Sequence, residues 1–490
     1  MPERLHGNSP MTIRTSILHG AFKLGSGQVV VQVCSFVRSV ILARLISPED
    51  FGIAATFAMT FSLLEMVSNL SVQSLLVQAP DGDAPRFQAT GHLLLVFRGL
   101  LNAALLLVLA LPLSSLFGVP QAWWAFCWIA AIPLLRGFSH LDLCRYQRNM
   151  RFAPQVVVDI VSSFLVTLLA WPIAARLRDY SAMLWLLLLQ SAVQAIGSHI
   201  VAERRYVWTW DQDYARRFIS FGWPLLVNGL LMYGILQGDR FIIGASGRLF
   251  PNSVYNLADL GIYSVAFSLT MAPSTLFTNM ASALFLPVLA RVQTEPEQFE
   301  RRYKACVLTL ALAGAMIAIP FIVVGSWIVP LIFGSKYAAA GAFIGWLGAM
   351  WGVRVFRTGP TQAALALGDS RNSMIANIAR STALIGVLVS AATGRGLTSI
   401  AVCGLLGEVL ATGVCLWRLS VKHHVPMKLS LTPFSVCSIA IALALVFDLG
   451  AFGWMISTLI GVVILIACAG TMLQCVDRDQ RWNCFFGQSK

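Results

Sequence analysis

The residues with the clearest chemical potential are arginines that lie inside long apolar stretches. Arg98 stands near the middle of one stretch, and Arg354 and Arg357 share another, three positions apart on one helical face. A charge at the centre of a bilayer costs about 2.5–3.5 kcal/mol on insertion scales, so such residues tend to face a cavity or a partner. The planar arginine fork makes two parallel hydrogen bonds to phosphate. The pattern therefore predicts a cationic cavity that binds an anion.

Four more basic residues lie in apolar stretches, closer to their ends. Lys23 and Arg38 are predicted either to join the cationic cavity or to reach the lipid headgroups with their long side chains. Arg136 and Arg380 are predicted to be interfacial. Together with the three central arginines they make seven cations, against four acids in the same stretches. This surplus favours an anionic substrate over a cationic one.

The four acids have their own alternatives. Glu65 and Glu408 either pair with a cation on a neighbouring span or carry a proton or sodium ion that couples to transport. Asp239 and Arg240 together form either an anchor at the outer end of a span or a gate. Asp159, at the start of its apolar stretch, completes the acidic set.

The elements that hold these residues must be transmembrane helices. The chain has 490 residues, of which 57% are hydrophobic and 12% are charged, whereas a soluble domain carries roughly 25% charged residues. Apolar segments of about 20 residues are long enough to span a bilayer. We therefore predict an all-α integral membrane protein with about 14 transmembrane helices, near residues 18–44, 52–78, 89–113, 121–141, 155–175, 182–202, 217–242, 260–288, 305–330, 338–366, 372–393, 396–418, 432–448 and 452–473.

Orientation follows from the basic residues between the spans. With a cytoplasmic N-terminus, the inner segments hold 21 Lys and Arg and the outer segments hold seven. Because cytoplasmic loops are enriched in Lys and Arg, both termini are predicted to be cytoplasmic. Met1–Pro10 has the composition of an upstream extension, so Met11 is the expected alternative start.

A short motif occurs twice at the same place in this topology. Residues 48–53 read PEDFGI, residues 257–262 read LADLGI, and each leads into the second span of a six-span unit. Both units start inside, so we predict parallel repeats, a common plan among transporters. The predicted divisions are an N-terminal tail 1–17, an N-lobe 18–203, a linker 204–216, a C-lobe 217–420, two further spans within 421–475 and a tail 476–490.

Several functional classes lack their sequence signatures. The chain has no P-loop, HExxH or GxSxG motif, and its ten cysteines show no metal-ligand spacing. We expect a transporter and not an enzyme, with no cofactor, no metal and no nucleic-acid partner. The net charge of +13 lies mostly in short loops, where it acts as a determinant of topology.

Over roughly residues 12–420 the chain resembles the polysaccharide-transport (Wzx-like) branch of oligosaccharide flippases, in the multidrug/oligosaccharidyl-lipid/polysaccharide exporter superfamily. The matching stretches are 43–52 (ARLISPEDFG), 220–226 (SFGWPLL), 239–244 (DRFIIG), 260–266 (LGIYSVA) and 285–291 (FLPVLAR). The resemblance implies two six-helix lobes in a V-shaped arrangement around a cationic cavity, plus two C-terminal helices, working by alternating access.

The resemblance also implies a substrate and partners. The substrate would be an undecaprenyl-pyrophosphate-linked oligosaccharide crossing a bacterial inner membrane for capsule, exopolysaccharide or O-antigen synthesis. Membrane lipids, a polysaccharide polymerase and a chain-length regulator are candidate partners. A multidrug or cation antiporter of the same fold is the first alternative, and the cation surplus speaks against it. A membrane-embedded polymerase or ligase is the second, and the absence of a long outer loop speaks against it.

Overall fold

The protein is built from α-helices joined by short connections. The computed structural model describes residues 10–446 and 454–477, with side chains for 25–223, 226, 229–445 and 455–470. Residues 1–9, the predicted break at Asp448–Gly453 and the tail 478–490 lie outside these ranges, as does the side chain of Lys23. The described helices are α1 Pro10–Leu45, α2 Pro48–Val67, α3 Val72–Gln78, α4 Pro85–Leu116, α5 Trp123–Ile129, α6 Ala131–Gly137, α7 Asp142–Arg148, α8 Ala153–Leu177, α9 Ser181–Val201, α10 Gln212–Leu249, α11 Leu257–Ala290, α12 Pro296–Phe333, α13 Gly341–Ala366, α14 Ser370–Ser381, α15 Ala383–Ala392, α16 Leu397–His423, α17 Lys428–Val446 and α18 Trp454–Asp477.

Many of these helices are long and apolar enough to cross a membrane. Among the residues whose side chains the structure describes, eleven helices meet that test, or twelve if the bent pair Pro120–Gly137 and Asp142–Arg148 forms one span. The all-α membrane architecture is therefore confirmed, but the count of 14 is not. The helices α10 and α18, which correspond to two further predicted segments, contain residues whose side chains lie outside the described ranges and are not counted among the eleven.

Three of the predicted spans are interrupted. The segment 52–78 is divided between α2 and α3, and Ser71 at the break has a left-handed backbone with φ of 50°. The segment 121–141 begins with a 3-10 turn, continues through α5 and α6 and then bends by 51° before α7. The segment 372–393 is divided between α14 and α15 at Thr382. Polar residues stand at each break, but the apolar residues further along keep the average over about 20 residues apolar, so hydropathy did not reveal the breaks.

The helices form two compact units, Met1–Tyr233 and Gly234–Lys490, called here the N-terminal and C-terminal units. The helix α10 is shared, because the division falls inside it and not in the linker 204–216. The lobe boundaries inferred from the sequence stay a prediction. In the C-terminal unit α12 and α13 pack closely, since a Cβ on Gly314 would lie 2.5 Å from the carbonyl oxygen of Gly352.

The repeated sequence motif is the start of a helix in each unit. Ser47 caps α2 by accepting a hydrogen bond from the Asp50 backbone N–H at 3.0 Å. Asn256 caps α11 in the same way through the Asp259 N–H at 2.9 Å, and the Asp259 carboxylate accepts from the Asn256 N–H. Each arrangement satisfies helix N–H groups that would otherwise lack a partner. The repeated motif therefore corresponds to a helix N-cap, at the start of α2 in the N-terminal unit and at the start of α11 in the C-terminal unit.

Candidate functional site

The N-terminal unit contains a polar cavity of about 360 Å³ among its apolar helices. Its charged lining residues are Glu65 on α2, Arg98 on α4, Arg136 on α6 and Asp159 on α8. Six carboxamide side chains also line it: Asn69, Gln73, Asn102, Gln147, Gln155 and Gln194. Polar groups are costly within a membrane and concentrate where they face water or a ligand. This cavity, called the N-terminal cavity below, is the first candidate site.

A close crossing of two helices brings Arg98 and Arg136 to the N-terminal cavity. A Cβ on Gly99 would lie 2.6 Å from the Pro133 carbonyl oxygen and 3.3 Å from the Gly137 Cα, so α4 and α6 touch at their glycines. Arg98 and Arg136 each precede one of these glycines in the chain. Only a residue without a side chain allows this approach of two backbones.

The two arginines of the N-terminal cavity differ in their partners. Arg136 is paired with Glu65 at 2.6 Å and lies over the Phe61 ring at 4.8 Å from its centre. Half-buried Arg98 makes no hydrogen bond or ion pair with any residue that the structure describes. Its guanidinium therefore has all its donors available to a ligand. Glu65, by contrast, already has a counterion.

Arg38 does not belong to the N-terminal cavity. Its side chain is 8% exposed, and its Nη1 donates to Gln190 Oε1 at 2.8 Å while Nη2 donates to Ser35 Oγ at 3.4 Å. The structure therefore places the Arg38 side chain between α1 and α9. Its predicted contact with substrate stays a prediction, as does that of Lys23.

The C-terminal unit contains a buried ionic cluster around Glu408 on α16. The Glu408 side chain is 0% exposed, and three arginines approach its oxygens: Arg380 at 2.6 Å, Arg357 at 3.1 Å and Arg354 at 3.2 Å. Arg357 also donates to Asn377 Oδ1 at 3.2 Å. These four charged residues, called the Glu408 cluster below, join α13, α14 and α16 and carry a net charge of +2.

The Glu408 cluster changes the interpretation of its members. Arg380 is 6% exposed and pairs with Glu408, so the expectation that it is interfacial is wrong. Both oxygens of Glu408 are held by arginines, which gives it the role of a counterion in this arrangement. Arg354, at 21% exposed, is the most accessible cation of the cluster and lies 5.2 Å from the Trp351 ring centre.

Asp239 and Arg240 lie within α10 and not at its end, since the helix continues to Leu249. Asp239 accepts a hydrogen bond from the Tyr263 hydroxyl at 2.7 Å. Arg240 donates to the Leu236 carbonyl and lies 4.2 Å from the Phe267 ring centre. Asp239 and Arg380 line a small cavity of about 30 Å³. The anchor at the outer end of the span and the gate both stay predictions.

Comparison with known proteins assigns the chain to a family. A family model described as "Polysaccharide biosynthesis protein" matches residues 41–341. The chain belongs to this family. Among curated relatives, the succinoglycan biosynthesis transport protein ExoT of Rhizobium meliloti (strain 1021) is 24% identical over 325 residues, which are 65% of this chain and 63% of that protein. The amylovoran biosynthesis protein AmsL of Erwinia amylovora is 23% identical over 52% of this chain and 65% of its own length. The match thus spans less than two thirds of either relative.

Solved structures of low sequence identity share the fold of this family member. The lipid II flippase MurJ in an inward closed conformation aligns with a TM-score of 0.71 and 14% identity, over 92% of this chain and 99% of its own. An inward-facing multidrug resistance MATE family transporter aligns with a TM-score of 0.60 and 13% identity, over 84% and 95% of the two chains. The predicted family resemblance and exporter-like fold are therefore confirmed.

Sequence reasoning missed three members of the two candidate sites. Arg136 and Arg380 were assigned to the interface because they lie near the ends of their apolar segments, and Asp159 received no role. The glycines after Arg98 and Arg136 were the available signal, since two glycines at matching depths permit a close crossing. Nothing in the sequence around Arg380 indicates that it meets Glu408.

A buried aspartate in each unit holds the end of a later helix. Asp142, at the start of α7, accepts from the backbone N–H groups of Glu203 and Arg204, at 2.7 and 3.1 Å, just after α9. Asp369, just before α14, meets Lys422 at 3.0 Å and Arg418 at 3.3 Å near the end of α16. Each aspartate follows the fourth predicted span of its lobe and binds residues at the end of the sixth. This shared position is what the predicted repeat leads us to expect.

Replacing Asp369 with asparagine is expected to lower the free energy of unfolding by about 2 kcal/mol at pH 7, because it removes charge-assisted hydrogen bonds. Burial alone would raise the pKa of Asp369, but hydrogen bonds from Lys422 and Arg418 outweigh it and hold the pKa at about 2, below the ordinary 3.8. The stabilisation that the ionised Asp369 carboxylate adds to the free energy of unfolding is therefore complete above pH 3.8 and is lost as pH falls through about 2. Thermal unfolding of both proteins at several pH values should show curves that converge at acid pH; a constant difference would contradict this.

Proposed function

We propose that the protein is a flippase that moves an undecaprenyl-pyrophosphate-linked oligosaccharide across the bacterial inner membrane by alternating access, for capsule, exopolysaccharide or O-antigen synthesis. Both termini lie in the cytoplasm under this proposal. The observation that carries it is Arg98, an arginine in a polar cavity among apolar helices that forms no ion pair with any described residue. A guanidinium with free donors suits a pyrophosphate, and the surrounding carboxamides suit sugar hydroxyls.

The relatives support the polysaccharide part of the proposal. One is named as a transport protein of succinoglycan biosynthesis and another as a protein of amylovoran biosynthesis. The fold is shared with a lipid II flippase and also with multidrug transporters, so the fold by itself does not select the substrate. The proposal therefore rests on the family together with the chemistry of the N-terminal cavity.

Deletion of the gene in the native bacterium should stop polymer secretion and leave lipid-linked repeat units in the inner leaflet. The measurement is the accessibility of radiolabelled units in spheroplasts to an added glycosidase that cannot cross the membrane. We expect the units to accumulate in a protected form and become accessible when the wild-type gene is restored.

The two alternatives give different results in the same experiment. Loss of a polymerase or ligase would leave single repeat units that the glycosidase reaches, because translocation still occurs. Loss of a drug or cation antiporter would leave polymer secretion unchanged and raise sensitivity to cationic drugs. Either result would reject the flippase proposal.

A further inference from the structure

The charges that line the N-terminal cavity are balanced when all of them are ionised. Arg98 and Arg136 supply two positive charges, and Glu65 and Asp159 supply two negative ones. The pairing is uneven, because Glu65 is bound to Arg136 at 2.6 Å while Arg98 and Asp159 form no ion pair with each other or with another described residue. Among the described residues, one cation and one carboxylate thus share the cavity without an ion-pair partner.

Among the residues that the structure describes, Asp159 is the carboxylate of the predicted acidic set that lacks both an arginine and a hydroxyl donor. Glu408 meets three arginines, Glu65 meets one, and Asp239 accepts from Tyr263. The neighbour of Asp159 is the uncharged Gln155, which precedes it by one helical turn on α8. A carboxylate without a cation is the group that most readily accepts a proton when negative charge approaches.

The other elements around the cavity present few titratable groups to Asp159. They are Glu65 from α2, Arg98 from α4, Arg136 from α6, His140 from the bend after α6 and Cys144 from α7. The described cavity residues from α9, Gln194 and Ser198, carry no charge. His140 Nδ1 accepts the Asp142 backbone N–H at 3.0 Å, so its protonation would break an existing hydrogen bond. On α1, which packs against α8, Arg38 is engaged by Gln190.

We propose that Asp159 is a proton site that is linked to anion binding in the N-terminal cavity, so that one proton enters with each pyrophosphate-bearing substrate. With Asp159 ionised the cavity is neutral, and a pyrophosphate at Arg98 meets a repelling carboxylate in the same space. With Asp159 protonated the cavity carries a charge of +1 and the repulsion is gone. This inference rests on the proposed function, and it names the group through which substrate binding responds to pH.

The linkage has a definite sign. Because a bound anion raises the affinity of Asp159 for a proton, protonation of Asp159 must raise the affinity of the cavity for the anion by the same factor. Affinity therefore rises as pH falls, by up to about tenfold per pH unit where one proton is taken up for each anion bound. The proton moves from solvent to a carboxylate oxygen of Asp159, and no bond of the substrate changes.

The test measures binding of farnesyl-pyrophosphoryl-N-acetylglucosamine to the full chain in nanodiscs between pH 5.5 and 8. This probe is a pyrophosphate diester and remains a dianion throughout that range. Wild-type protein should bind at least tenfold tighter at pH 6 than at pH 8 and take up a proton from weakly buffered solution. Asp159→Asn should bind at pH 8 with the affinity that the wild type reaches at acid pH, without a pH dependence and without proton uptake.

Two control variants complete the design. Asp159→Glu retains a carboxyl and should retain the pH dependence, which keeps the test valid if Asp159→Asn folds poorly. Glu297→Gln removes a carboxylate whose side chain is 90% exposed and should behave as the wild type.

Several outcomes would overturn the inference. Wild-type binding that does not change with pH, or an Asp159→Asn variant that keeps the wild-type pH dependence, would show that Asp159 is not the proton site. Dependence on sodium at fixed pH, lost in Asp159→Asn, would assign the site to a metal cation and not to a proton. Failure of the wild type to bind the probe at any pH would overturn the proposed function as well, so the two failures are distinguishable.

Discussion

Replacement of Glu408 by alanine is expected to destabilise the protein by about 3–5 kcal/mol, the range found when one partner of a buried ion pair is removed. The Glu408 side chain is fully buried and is the counterion of Arg354, Arg357 and Arg380. Without it, two arginines that are each 7% exposed would face one another with no anion between them. Thermal unfolding of the purified protein in detergent should show a large decrease in the midpoint temperature.

Three further variants test whether charge is the cause. Glu408→Gln keeps the size of the side chain and one acceptor oxygen, so it should still destabilise strongly because the positive charges remain. Glu297→Ala, which removes an exposed acid, should change the midpoint little. The double replacement of Arg380 and Glu408 by Met and Leu should cost less than the sum of the two single changes. A midpoint for Glu408→Ala within a degree of the wild type would refute this role.

The overall architecture could be predicted from the sequence because membrane spans have a one-dimensional signature. Apolar length and the distribution of Lys and Arg depend on local composition, so the helices and the repeated PEDFGI and LADLGI motifs were recognisable. The breaks at Ser71 and Thr382 were not recognisable, because a few polar residues at each break leave the average hydropathy of the whole segment apolar. The shared helix α10 likewise has no marker at the division between Tyr233 and Gly234.

The candidate sites were harder to predict because the partner of a charge is a property of the folded structure. Arg354 and Arg357 were identified as intramembrane cations, yet Glu408 lies 51 residues from Arg357 along the chain. Glu65 lies 71 residues from Arg136. Spacing on one helix indicates which residues share a face, but only the packing of helices determines which of these charges are neutralised. Arg98, which forms no ion pair with any described residue, could not be distinguished from the others by sequence.

The two units differ in whether their intramembrane arginines are neutralised by a carboxylate, despite the predicted repeat. In the C-terminal unit three arginines surround one buried glutamate, an arrangement in which substrate would compete with Glu408 for the same donors. In the N-terminal unit Arg98 has no such competitor among the described residues and lines a cavity of about 360 Å³. We therefore expect stability to depend mainly on the Glu408 cluster and substrate affinity mainly on Arg98.

Replacement of Arg98 by alanine should reduce the affinity for a pyrophosphate-linked sugar about 30-fold, which corresponds to the loss of about 2 kcal/mol from a charge-assisted hydrogen bond. The free energy of unfolding of the variant should change little, because Arg98 makes no ion pair with a described residue that the mutation would break. Polymer secretion in the complemented deletion strain should fall accordingly, at wild-type levels of inserted protein. Arg98→Lys should recover part of the affinity, since an ammonium keeps the charge but cannot form the two parallel hydrogen bonds of a guanidinium.

The contrast with Arg301 makes this prediction specific. Arg301, on α12, has a side chain that is 58% exposed and an ion pair with Glu297 at 3.9 Å, so Arg301→Ala removes the same charge away from the residues that line the N-terminal cavity. Secretion and binding should be unaffected in that variant. If Arg98→Ala secretes as much polymer as Arg301→Ala at equal expression, the N-terminal cavity does not bind the anion. If instead Arg354→Ala loses affinity while remaining stable, the Glu408 cluster opens during the transport cycle and its arginines contact the substrate.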